Sequence, residues 1–243
     1  MIQRTLVPSV GQTFGLAPAE ETPYVELMPK QRPVILLTGF GPFPGVPENA
    51  SALLVRDLEG AAQRHWPEFH IQGAILPTEW RAGPATAGEL LAATRPLVAL
   101  HFGVSRQASG FTIETRGLNF ARPVTDAAGH LPPSERLAPE GPEELVSSFP
   151  AQRIVQRLHR RSLPAVLSHD AGGYLCNAVL YHSLDRARQV DWPIRCGFVH
   201  LPASLSRTSA PDYTPTSLDW EQAVAGGLEI IAATIDESGA LIS

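Results

Sequence analysis

Two cysteines occur in the chain, and their surroundings differ. Cys176 follows Asp170-Ala171-Gly172-Gly173 and opens a stretch with helical spacing, just after the short apolar run Ala165-Val166-Leu167-Ser168. Two glycines let the backbone turn sharply from a strand into a helix. A cysteine in a first helical turn feels the positive end of the helix dipole, which favours its thiolate. A thiolate so placed is a nucleophile for acyl transfer. The competing reading is a small buried hydrophobe, which free cysteines usually are. Cys196 is the contrast. It sits inside the apolar run 194–199 with no glycine turn before it, and reads as a buried structural thiol.

Acid–base partners are sought among eight histidines. His200 ends the apolar run 194–201, and a histidine at the carboxyl end of a strand is well placed for proton transfer. His101 and His169 also fall near strand ends and compete with it. His65, His70, His130, His159 and His182 fall on helices or loops and read as solvent-facing. Glu114 follows Thr112-Ile113 in a segment otherwise poor in charge. It is either an exposed strand residue or the partner of a histidine. No C-x-x-C, H-E-x-x-H or acidic calcium loop occurs, so neither a metal nor another cofactor is expected. Gly39-Phe40-Gly41 begins like a dinucleotide loop, but Pro42, Phe43 and Pro44 break that pattern.

These residues need a scaffold to bring them together. Apolar, partly β-branched runs at 34–38, 69–76, 97–102, 111–113, 165–168 and 194–201 predict strands. The run at 97–102 is expected to stop at Gly103. Helical spacing predicts helices over 52–62, 84–94, 150–160, 174–188 and 220–235, with Asn49 or Ser51 capping the first. Residues 121–148 hold five prolines and no clear period, and read as a long excursion. Alternating strands and helices predict an α/β fold, a three-layer α/β/α sandwich around a mostly parallel mixed sheet. Chemistry in such folds sits beyond the carboxyl ends of the strands. Residues 1–32 read as an N-terminal extension and 33–243 as one α/β domain.

The composition fits this. The 243 residues suit one sizeable domain or two small ones. Hydrophobic residues make up 44% and charged residues 18%, which excludes a disordered or coiled-coil chain. A net charge of −5 argues against a nucleic-acid partner. No apolar run reaches the ~18 residues of a membrane span. The start lacks the pattern of a signal peptide, and two cysteines make no disulfide framework, so a cytoplasmic location with free thiols is expected.

From about Val34 to Ile235 the chain resembles the pyroglutamyl-peptidase I (pyrrolidone-carboxylate peptidase) family of cysteine peptidases. Four motifs carry the resemblance: Leu37-Thr38-Gly39-Phe40-Gly41-Pro42-Phe43 with Asn49-Ala50-Ser51; Ile113-Glu114-Thr115-Arg116-Gly117-Leu118-Asn119 with Ala121-Arg122; the stretch from Ser168 to Asn177 around Cys176; and Gly197-Phe198-Val199-His200-Leu201-Pro202. The resemblance implies a triad of Cys176, His200 and Glu114, with Phe40, Phe43 and Asn49 holding the pyroglutamyl ring. It implies hydrolysis after an N-terminal pyroglutamyl residue through a thioacyl intermediate, on a peptide or small-amide substrate. It also implies a homo-oligomer, tetramer or dimer. Three departures surround the substrate rather than the triad. The family's lactam-binding glutamine is replaced by Val104, its Glu-Arg pair by Glu114-Thr115, and the Gly-Gly of its opening motif by Pro44-Gly45. They motivate two alternatives: the same triad acting on another small N-acyl or lactam group, or a catalytically silent peptide-binding homologue.

Overall fold

The computed structural model describes residues 32–206 and 213–242, and the side chains as far as residue 236. One compact unit begins at Arg32, so the expected extension, Arg32 aside, lies outside the described residues. In chain order the elements are β1 (Val34–Phe40), α1 (Ala50–His65), β2 (His70–Leu76), α2 (Ala82–Thr94), β3 (Val98–Ser105), β4 (Phe111–Glu114), β5 (Arg116–Leu118), β6 (Glu144–Val146), α3 (Ala151–Arg160), β7 (Ala165–Ser168), α4 (Leu175–Ala187), β8 (Arg195–Pro202) and α5 (Trp220–Ile242).

Six strands form one sheet in the order β2-β1-β3-β8-β4-β7. The first four run parallel, whereas β4 lies antiparallel to β8 and parallel to β7. The sheet is therefore mixed but mostly parallel. Successive residues of a strand face opposite sides, and both sides here are apolar. Ile35 and Leu37 join a core with α1, α3 and α5 through Leu54, Leu58, Ile154, Leu158 and Ile230. Leu36 between them joins a second core with α2 and α4 through Leu91, Val179 and Leu180, and with Phe198 of β8. Helices on both faces explain why β1 reads as a continuous hydrophobic run.

The cap of α1 is Asn49, whose Oδ1 accepts from the Ser51 backbone N–H at 3.1 Å. Ser51 bridges the loop to β1 instead. Its Oγ accepts from the Phe40 N–H at 3.0 Å and donates to Asn49 Oδ1 at 2.8 Å. β3 does not stop at Gly103. It continues to Ser105 because β8 runs alongside, pairing Gly103 with His200 and Ser105 with Pro202. Part of the long excursion folds as β6, which pairs antiparallel with β5.

Candidate active site

The antiparallel contact between β4 and β8 builds the polar centre. Thr112 pairs with His200 and Glu114 with Phe198, so Glu114 and His200 are diagonal neighbours on one sheet face. Glu114 Oε1 accepts from His200 Nδ1 at 2.8 Å, and both side chains are buried. Helix α4 covers this face and places Cys176 in its first turn. Cys176 lines the same cavity as the imidazole and acts on it electrostatically. A nucleophile, a base and an orienting carboxylate thus line one cavity.

Burial alone would lower the His200 pKa. A negative sulfur at Cys176, with the hydrogen bond to Glu114, outweighs it and pushes the group up to about 10. The imidazole therefore keeps its proton well above neutral pH. Cys196 sits two side chains down the same face of β8, wholly buried, and burial pushes its thiol up to about 12. Iodoacetamide near neutral pH is expected to label Cys176 and spare Cys196, as read by peptide mass spectrometry. Equal labelling of the two would contradict this electrostatic picture.

The competing histidines stand elsewhere. His101 is fully buried, shares a 2.7 Å hydrogen bond with Thr38 Oγ1, and is lowered to about 4 by burial, so it stays neutral. His169 lies on the exposed loop after β7, where its ring meets Thr115 Oγ1 and its carbonyl accepts from Arg116 Nε at 2.8 Å. His182, expected in solvent, is half-buried against Tyr181.

The surroundings fix the nucleophile's position. Gly103 passes under it: a Cβ there would lie 2.9 Å from Cys176 Sγ and 2.7 Å from Phe198 Cζ. Gly103→Ala must displace the sulfur or the Phe198 ring, and is expected to lower kcat about 100-fold, the penalty of a misplaced reacting atom. Single-turnover kinetics would check it, and an unchanged kcat would show that the sulfur has slack. Asn177 clamps α4 to the chain beside it. Its Oδ1 accepts from Leu118 N–H at 2.8 Å, and its Nδ2 donates to the carbonyls of Leu118 at 2.8 Å and Phe120 at 2.9 Å. The Arg122 N–H donates to the Gly173 carbonyl at 2.8 Å, tethering the glycine turn. Asp126 anchors the excursion by accepting from the N–H groups of Trp80, Ala128 and His130. Burial alone would raise its pKa, but those bonds and nearby His130 lower it. The start of α4 has no side-chain cap, leaving its first N–H groups open.

Cys176 lies where two cavities meet. The larger, about 610 Å³, runs past His200 and Glu114 between Arg106, Arg122 and Asp170. The smaller, about 190 Å³, gathers Phe40, Phe43 and Asn49 beside Cys176, so all three expected ring-binding residues share one wall system with the sulfur. Val104, Arg106 and Tyr174 line both. Asn49 is largely committed to the fold: its Oδ1 serves Ser51 twice and its Nδ2 donates to the Gly41 carbonyl at 3.1 Å. Sequence reasoning missed Tyr174 and Tyr213 in the small pocket. Tyr174 was within reach, two residues before Cys176. Tyr213 stands in an irregular connection that carries no periodic signal. Among the described residues no group of His, Cys, Asp and Glu side chains could hold a metal ion.

Comparison with known proteins gives a consistent answer. The family model for pyroglutamyl peptidase matches residues 33–237. The pyrrolidone-carboxylate peptidase of Oceanobacillus iheyensis is 32% identical over 170 residues, 70% of this chain and 84% of the relative. That of Halalkalibacterium halodurans is 32% identical over 191 residues, 76% of this chain and 91% of the relative. Among solved structures, pyroglutamyl peptidase I of Bacillus amyloliquefaciens superposes with a TM-score of 0.74 at 26% identity, over 84% of this chain and 97% of the other. A mutant pyrrolidone carboxyl peptidase of Pyrococcus furiosus gives a TM-score of 0.75 at 26% identity, over 84% and 99%.

Proposed function

Because this chain belongs to the pyroglutamyl peptidase family, we propose that Cys176, His200 and Glu114 are its catalytic triad and that Phe40, Phe43 and Asn49 hold the substrate ring. The protein is a cysteine peptidase that removes N-terminal pyroglutamate. The observation that carries the residue assignment is the Glu114–His200 hydrogen bond of 2.8 Å, in a cavity that Cys176 also lines.

The small pocket suits a pyroglutamyl ring. That residue is cyclised, so it has no α-ammonium and wants flat apolar faces. Phe40, Phe43, Val104 and Leu175 offer them, and among the described residues no carboxylate lines the pocket. Among the described residues a free amino terminus would meet the guanidinium of Arg106 there and no counter-charge. Wild type is therefore expected to cleave a pyroglutamyl amide at least about 100-fold better than the matching prolyl amide, whose ring amine is charged. Comparable kcat/KM values for the two would sink this reading of the pocket.

Catalysis follows from the geometry. The Cys176 thiolate attacks the pyroglutamyl carbonyl carbon, forming a C–S bond and pushing the π pair onto oxygen. The open N–H groups at the start of α4, that of Cys176 among them, stabilise the oxyanion. His200 gives its proton to the leaving nitrogen as the C–N bond breaks. Water then attacks the thioester while neutral His200 takes its proton, and collapse returns the thiolate and frees pyroglutamate. Glu114 holds the imidazole in the productive tautomer and stabilises the imidazolium throughout. The leaving peptide occupies the larger cavity.

The proton on His200 gives this scheme a pH signature. Loss of that proton removes the acid for the leaving amine, so kcat/KM is expected to fall as the pH rises through about 10. The fold responds with the same sign. A pKa raised above 6.5 adds stability that is complete below 6.5 and is lost as the pH climbs through about 10. A pH–rate profile checks the first statement, and an alkaline limb near 6.5 would contradict it.

The alternative substrate, another small N-acyl or lactam group, draws on Val104 in the pocket wall. A panel of N-acyl amides separates the two. We place residues 33–243 in one peptidase domain, supported by the extent of the family match. A cytoplasmic location fits two free thiols, one of them in the site. No helix among the described residues is long and apolar enough to cross a membrane. A tetramer or dimer is the assembly expected of the family, and sedimentation would measure it.

A further inference from the structure

We propose that Arg122 is a specificity-determining residue on the leaving-group side, its guanidinium receiving the free C-terminal carboxylate of a pyroglutamyl dipeptide. The inference rests on the pyroglutamyl reading of the site and adds the substrate class beyond the scissile bond: dipeptides ahead of longer or amidated peptides.

Three charged side chains besides the triad line the larger cavity among the described residues: Arg106, Arg122 and Asp170. Asp170 turns Oδ1 back on its own loop, where it accepts from the Gly172 N–H at 2.9 Å. Arg106 also lines the ring pocket and lies over the Tyr213 ring, 5.7 Å from its centroid. Arg122 lines the larger cavity and not the ring pocket, so it faces the departing half of the substrate.

Arg122 is held there by the turn that presents the nucleophile. Its N–H donates to the Gly173 carbonyl at 2.8 Å. Its stem lies across the same glycine: a Cβ on Gly173 would collide with Arg122 Cγ and lie 3.1 Å from its Cδ. Cys176 follows three residues later. Beyond that stem the guanidinium makes no hydrogen bond or ion pair with a described residue, whereas Arg116 pairs with Glu144 and Arg136 with Glu143, both at 2.7 Å.

A fixed stem with an unclaimed guanidinium suits a carboxylate, which it grips through two parallel N–H donors. With the pyroglutamyl carbonyl at the Cys176 sulfur, the leaving nitrogen enters the larger cavity. In a dipeptide the carboxylate stands two bonds from that nitrogen, and in a longer peptide a neutral amide takes its place. Glu114 and Asp170 add negative charge to the cavity wall, so an entering carboxylate needs a cation to meet it.

The test compares two substrates with the same scissile bond, pyroglutamyl-alanine and pyroglutamyl-alaninamide, in wild type and Arg122→Gln. The exchange keeps most of the stem and removes the charge. kcat/KM for the free acid is expected to fall about 3- to 10-fold, mostly through KM, while that for the amide stays level. Added NaCl should lower the wild-type value for the acid several-fold and leave that for the amide unchanged, a readout that needs no variant. Equal loss of both substrates in Arg122→Gln would make the guanidinium a structural support or a helper at the reacting carbonyl, and would overturn the proposal. So would a variant that treats both substrates as wild type does, or an acid selectivity lost in Arg106→Gln instead. Failure of wild type to cleave either substrate would overturn the pyroglutamyl reading beneath, and with it this inference.

Discussion

Cys176→Ala is expected to lower kcat/KM for a pyroglutamyl amide by about 10,000-fold or more, the usual cost of deleting a covalent nucleophile from a triad. The sulfur cannot be replaced locally. Cys196 lies on the same sheet face, but it is fully buried and its thiol is pushed up to about 12 by that burial. Cys176→Ser should fail nearly as badly, because a serine hydroxyl does not ionise opposite an imidazolium as a thiol does. The substitution has a second readout. The negative sulfur of Cys176 is the chief influence raising His200 against its burial. With alanine in place, the imidazole pKa should drop, which histidine NMR would follow. Retained turnover, or an unmoved His200, would remove Cys176 from the proposed role.

Glu114→Gln is the second large effect, also expected to cost about 10,000-fold in kcat, as removal of a triad's orienting charge does elsewhere. Glu114 Oε1 accepts from His200 Nδ1 at 2.8 Å, which leaves the other ring nitrogen to face the sulfur. A glutamine can turn its N–H toward Nδ1, and that choice selects the wrong tautomer. It also takes away a negative charge that helps raise His200. The fold should survive, since the change replaces a buried charge by a neutral isostere and Glu114 Oε2 has no hydrogen-bond partner among the described residues. Circular dichroism should therefore match wild type, and thermal unfolding should shift down only by the part of the His200 stabilisation that the carboxylate supplies, while turnover collapses. Turnover near that of wild type would take Glu114 out of the triad.

How much of this is legible from the residues varies from element to element. The alternation of apolar runs with helical spacing places β1, β2, β7 and β8 within a residue or two of their observed bounds, because helices cover both sheet faces and leave the strands uniformly apolar. Strand direction is another matter. Nothing in Phe111-Thr112-Ile113-Glu114 says that β4 runs antiparallel to β8, a partner more than 80 residues away in the chain. That register is what puts Glu114 beside His200. The residues alone therefore left Glu114 open between surface and site, and left three histidines in competition. Cys176 was easier to single out, since a glycine turn before a helix is a local signal. Gly103 misled as a strand end because its role is close approach to the sulfur, a relation made by α4 and not by its neighbours in sequence. Tyr213 gave no signal, since it stands in an irregular connection without periodicity and reaches the pocket only once the chain is folded.

The account's central claim is that a pyroglutamyl group is carried on the Cys176 sulfur. The most direct measurement is intact-mass spectrometry of the enzyme acid-quenched during turnover of a pyroglutamyl ester, followed by mapping of the modified peptide. The account predicts a pyroglutamyl adduct on the peptide containing Cys176, absent from Cys176→Ala and formed faster than it is lost. Steady hydrolysis with no adduct, or an adduct on any other residue, would contradict it.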